Sequence, residues 1–127
     1  MARKYAYWIS TALICVLYLA SATIYAMKGD FVREALGGLG YPAYLVPILI
    51  AVKVLGVAAI LSRVSVALSD LAYAGMFYHL LLAFSAHFNA GDGGFAPAVV
   101  GLCLLIVSFF TQNAARAKPS PYVPWTR

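Results

Sequence analysis

The chain has 127 residues, of which 64% are hydrophobic and only 10% charged, with a mean hydropathy of +0.87. That apolar excess excludes an ordinary water-soluble globule, and the length allows one compact unit. The net charge of +5 does not signal a nucleic-acid partner, because the basic residues form no stripe and no aromatic-interleaved motif.

A bilayer core about 30 Å thick needs about 20 apolar residues per helical crossing. Four runs meet that need, over residues 6–27, 44–61, 71–88 and 95–112. The expected fold is therefore an all-α membrane protein, a four-transmembrane-helix bundle over residues 1–115, with a Pro-rich tail over 116–127. The first run is long and lacks a small-residue cleavage site, so it reads as a retained helix rather than a leader.

Between the first two runs, residues 28–41 (KGDFVREALGGLGY) place Val32, Ala35, Leu36 and Leu39 at helical spacing. A short interfacial helix is expected there, capped by Asp30 and stopped at Gly37 and Gly38. A solvated linker is the alternative. The next loop spans Ser62 to Ser69, with Asp70 as the expected cap of the third membrane helix. Residues 89–94 (NAGDGG) form a glycine-rich turn. Beyond Ala115, Pro119, Pro121 and Pro124 favour an extended or disordered tail.

Orientation follows from the basic residues. Arg3, Lys4, Arg63, Arg116, Lys118 and Arg127 fall at one end of this layout, and Lys28 and Arg33 at the other. Both termini are expected in the cytoplasm, and the protein in the cell inner (plasma) membrane as a multi-pass protein. Tyr5, Tyr7, Trp8, Tyr41, Tyr44, Tyr122 and Trp125 are placed to anchor at the interfaces.

The ninth basic residue, Lys53, sits alone within the second apolar run. Charge at bilayer depth is costly, so such residues tend to face a cavity, a bundle interior or a partner. Its face carries Val46, Leu49, Ile50, Val57 and Ile60, and the opposite face Ala51 and Ala58. Either face suits packing, and snorkelling to the interface is the alternative. On the third run, Ala72, Gly75, His79, Ala83 and Ala86 form a stripe at 3.6-residue spacing, where small residues admit a close neighbour. Counting from the helix ends puts Lys53, His79, Tyr18, Cys15 and Cys103 in one layer. A lysine and a histidine at one depth form a proton-coupled or ligand-orienting pair, unless His79 merely bonds a backbone carbonyl. His87 and Asp92, near the outer end of the third run, suit a headgroup or plain interfacial solvation. Two ligands do not make a metal site, so none is assigned. Cys15 and Cys103 lack a paired spacing and read as packing residues.

These segments carry a resemblance. Gly40, Tyr41 and Pro42 precede a helix holding Lys53 and Gly56; then come Ala72, Tyr73, Ala74, Gly75, Ala83, His87, Gly91 and Asp92. In this the chain resembles the DoxX-like family of small bacterial membrane proteins. Asp70 keeps the acid that often precedes the Ala-Tyr-Ala-Gly motif, whereas Leu71 stands where the family often has tryptophan. The resemblance implies a four-helix bundle linked with membrane redox or stress-related chemistry, including quinone-linked oxidation, or with an assembly role. It transfers no catalytic residue.

The candidate ligand-binding residues are thus Lys53, His79, Tyr18, Gly75, His87 and Asp92. The first function they suggest is an intramembrane pocket for a lipophile, a quinone or a lipid, with quinone as the candidate cofactor. The alternatives are a non-catalytic assembly factor or partner subunit, with a membrane protein partner or a homodimer, and a proton-coupled small-molecule transporter. Small multidrug transporters use a first-helix glutamate that this chain lacks.

Overall fold

A computed structural model describes residues 1–124. Its helices are α1 (Ala2–Met27), α2 (Gly29–Gly38), α3 (Leu45–Ser62), α4 (Val66–Ala90) and α5 (Ala96–Thr111), the last continued by a single 3-10 turn over Gln112–Ala114. Four helices are long and apolar enough to cross a membrane: α1, α3, α4 and α5 with its turn. No strand occurs among the described residues. The protein is a multi-pass membrane protein. Trp125 and Arg127, expected as an anchor and an orienting charge, lie outside the described residues.

The helices form a ring in the order α1, α3, α4, α5, with α1 and α4 diagonal to each other. The centre holds Ile14, Tyr18, Val57, Ile60, Tyr73, Met76, Leu80 and Leu105. Large apolar side chains such as Leu13, Val16, Ile48, Val52, Leu55, Leu82 and Val100 are exposed around the outside, where acyl chains would cover them.

The first loop does contain a helix. Val32 and Leu36 of α2 are buried with Val46 of α3, beside Tyr25. Asp30 does not cap it, however. The preceding residue is Lys28, without a side-chain cap, and Asp30 instead pairs with exposed Arg33 at 3.3 Å. α4 starts earlier than expected because Ser65, not Asp70, is its cap: the Ser65 hydroxyl accepts from the Leu68 N–H at 3.2 Å. Asp70 then falls inside the helix, free to bond elsewhere.

It bonds the tail. Asp70 accepts from Gln112 Nε2 at 3.3 Å and from the Ser120 hydroxyl at 2.7 Å. Asn113 receives the Ser120 N–H at 2.8 Å and donates to its carbonyl at 3.1 Å. The proline-bearing segment is non-helical, as expected, but these bonds fold it back and bury Ser120 and Val123. At the same end Arg63, the left-handed C-cap of α3 (φ 57°), donates to the Ala115 carbonyl at 2.7 Å. Its guanidinium lies over Trp8 at 4.5 Å and Tyr7 at 5.5 Å from the ring centroids. Tyr7 is consequently buried, not an interfacial anchor. Deeper in, the Ser108 hydroxyl meets Thr11 at 2.6 Å and Tyr73 at 2.7 Å, tying α1, α4 and α5 together.

The α4 stripe is only in part a packing face: Ala72 packs against the core, and His79, Ala83 and Ala86 are half-buried. Ser69, Tyr73, Met76 and Leu80 are buried, whereas Gly75 is exposed and a Cβ there would meet open space. Drawing the Tyr73 hydroxyl to Ser108 rotates Gly75, about 200° further round the helix, to the outside. Close approach occurs instead at buried Gly101 of α5, where a Cβ would stand 2.9 Å from Leu80 and 3.2 Å from Leu17.

Candidate functional site

α3 turns its Val46, Val57 and Ile60 face inward and exposes Ala51 and Ala58, and Lys53 follows the inward face. Only 5% of Lys53 is exposed, which rules out snorkelling. Its ammonium lies 4.7 Å from the Tyr25 ring centroid and 5.3 Å from that of Tyr18. Both faces are within cation–π range. Among the described residues it has no hydrogen bond and no ion pair.

Around it is a cavity of about 230 Å³ lined by Leu17, Tyr18, Ser21 and Tyr25 of α1, Lys53 of α3, His79, Leu80, Ala83 and His87 of α4, and Gly94, Pro97 and Ala98 at the start of α5. The Tyr18 hydroxyl and His79 Nδ1 share a hydrogen bond of 2.8 Å, reaching across the α1–α4 diagonal. Tyr18, Ser21 and Tyr25 reach one cavity because they recur at three and four residues along α1.

One end of the cavity is bordered by the turn after α4, through His87 and Gly94. His87 lies eight residues beyond His79, about 12 Å along the axis on the same side. His87 Nδ1 pairs with the Asp92 carboxylate at 2.9 Å, and Asp92 also accepts the Gly94 N–H at 2.8 Å. The glycines are required. Gly91 and Gly93 have φ of 66° and 73°, and a Cβ on Gly94 would come within 2.8 Å of His87 Nδ1. The Gly94 N–H, and then His87, hold the Asp92 carboxyl below the usual aspartate range.

The structure thus gathers Lys53, His79, Tyr18 and His87 around one cavity, with Asp92 tied to one end of it through His87 and Gly94. Gly75 stands apart, on the outer surface of α4. Ser21, Tyr25 and Gly94 were not singled out from the sequence. The i, i+3, i+7 spacing from Tyr18 points to the first two, and the steric demand at Gly94 is visible only in three dimensions. Cys15 is buried and Cys103 exposed, both as free thiols, and neither lines the cavity. Chemically, the site offers one cation, two aromatic faces, a histidine–tyrosine pair and a hydroxyl within an apolar shell. That set suits an oxygen acceptor on an otherwise apolar molecule.

The model of the DoxX-like family matches residues 9–109. No curated protein and no solved structure matches the chain. The match takes in four-fifths of the sequence, from α1 to the end of α5, and the chain belongs to the DoxX-like family.

Proposed function

We propose that this DoxX-like membrane protein binds a lipophile, a quinone or a lipid, with its polar oxygen beside Lys53 and its tail among the bundle's apolar side chains. The observation that carries this reading is the buried Lys53 ammonium, which faces two aromatic rings but no acceptor oxygen among the described residues. Buried charges are normally paired and hydrogen-bonded, so a ligand oxygen completes the site. Tyr18 and His79 are placed to donate or accept a proton at the same head group. At about 30 Å³ per water, the cavity of about 230 Å³ holds a single ring or a short head. Drug-sized ligands occupy about 300–1,000 Å³, so the remainder of a larger lipophile would lie outside it. The redox or stress-related setting rests on the family resemblance. The basic residues favour both termini in the cytoplasm, and the inner (plasma) membrane rests on the resemblance to small bacterial membrane proteins.

The test is mass spectrometry of the organic extract of protein purified from its native membrane. One lipophile per chain is expected in the wild type and at least about tenfold less in Lys53→Met, with a smaller loss in His79→Ala. Identical extracts containing only bulk phospholipid would overturn the reading.

A partner-subunit or assembly role is the second reading. It is favoured by Gly75, exposed on a membrane helix with open space above it, where another helix approaches closely. Cross-linking through Gly75→Cys to a second membrane protein, or to a second copy, would support it; a monomeric product at native expression would count against it.

A further inference from the structure

At the end of the bundle that carries the chain termini, two further cavities adjoin. One, about 580 Å³, is lined by Arg63, Arg116 and Lys118 together with Val64, Ser65 and Ala67. The other is a groove of about 720 Å³ between α4 and α5, walled by Tyr73, Phe77, Leu105, Phe109, Phe110 and Ala67. Ala67 is exposed and borders both.

Their chemistry is complementary. Arg63, Arg116 and Lys118 make no ion pair among the described residues. Arg63 and Arg116 donate only to neutral acceptors there, the Ala115 and Lys118 carbonyls and Gln112 Oε1, and Arg63 Nη2 is buried without a partner. Among the described residues the polar cavity therefore gathers three positive charges with no carboxylate in direct contact. Asp70 borders the groove, but its oxygens are taken by Gln112 and Ser120. The groove lies on segments that cross the bilayer, where its aromatic walls meet acyl chains. A head carrying negative charge and a tail of hydrocarbon would satisfy both cavities at once.

We infer that this end of the bundle holds an anionic phospholipid, its phosphate among Arg63, Arg116 and Lys118 and one acyl chain in the α4–α5 groove. Phosphate among basic side chains at a membrane surface is favoured by charge, and the groove is within the size range of pockets that bury lipophilic ligands. The site is distinct from the Lys53 cavity and shares no lining residue with it.

The experiment is native mass spectrometry of the delipidated full-length protein in detergent. It would be titrated with dioleoyl phosphatidylglycerol or dioleoyl phosphatidylcholine at rising ammonium acetate concentration. One phosphatidylglycerol per chain should bind at least about tenfold more tightly than phosphatidylcholine, and salt should weaken it. Lys118→Gln, at an exposed position, should lower its affinity about fivefold, the equivalent of the ~1 kcal/mol that one basic residue contributes near an anionic surface. Ala67→Phe, which blocks the junction from the outside, should abolish binding. Lys53→Met should leave it intact, which separates this site from the pocket above. On the wild type alone, inorganic phosphate at millimolar concentration should not displace the lipid. Equal retention of the two lipids, unchanged affinity in both variants, or displacement by inorganic phosphate would each overturn the assignment.

Discussion

The two polar regions inside this bundle obey opposite rules. Around Ser108 and Asp70, near the termini, hydroxyls, amides and a carboxylate are tied to partners on other segments by bonds of 2.6–3.3 Å. Around Lys53, toward the other end, the strongest polar group of the region lacks an acceptor among the described residues and faces a cavity. Polar atoms within a membrane need partners. The first region finds them in the protein for its hydroxyls, amides and carboxylate, with Arg63 Nη2 left buried and unpartnered among the described residues, and serves to fix helices and tail. The second leaves one open, and that is the pattern expected of a binding site. The lesson is that intramembrane polarity alone does not mark a site; the missing partner does.

Substitutions can break this comparison. The largest effect on stability should come from Ser108→Ala, which removes two buried bonds at once. Interhelical hydrogen bonds in membranes average about 0.6 kcal/mol and reach about 1.7, so a loss of about 1–3 kcal/mol is expected in reversible unfolding from mixed micelles. Lys53→Met should act in the opposite direction. A charge at mid-bilayer costs about 2.5–3.5 kcal/mol on insertion scales, here partly offset by the two rings, so a gain of about 1 kcal/mol is expected in the ligand-free protein. A loss of stability instead would mean that Lys53 is a structural brace, and the contrast between the two regions would fail.

The smallest effect concerns the turn that borders the cavity. The folded-state pKa of Asp92 is depressed, so the turn it organises is fully supported above the ordinary aspartate value of about 3.9. That support fades as pH falls through the lower folded value. The protection of the Gly94 amide against exchange, relative to its intrinsic rate at each pH, should fall in that acid window and should be low at neutral pH in Asp92→Asn. An amide insensitive to both would show that the glycine backbone holds the turn unaided.

Much of this arrangement is legible in the sequence. Span number, the short helix α2 and the common depth of Lys53, His79 and Tyr18 follow from run lengths and counting, because a helix advances at a fixed rise. Helix rotation does not follow so easily. Small residues at Gly75 and large ones at Tyr73 each suggest a packing face, and the tie is broken by Ser108, 35 positions beyond Tyr73, whose hydroxyl claims it. Capping misleads for a similar reason. Asp30 and Asp70 both look like helix starts, yet Arg33 takes one and the returning tail takes the other. Composition reads the prolines of the tail as extended or disordered and does not say which; the bonds of Asp70 and Asn113 to Ser120 order the segment as far as that residue.

Parity has a consequence for sidedness. An even number of crossings returns the chain to the compartment it left, so α1 begins and α5 ends on one face. The His87–Asp92 turn, which borders one end of the Lys53 cavity, belongs to the other. That end of the cavity therefore faces the compartment opposite the one where α1 begins, and a single reporter fused at either end of the bundle identifies both compartments at once.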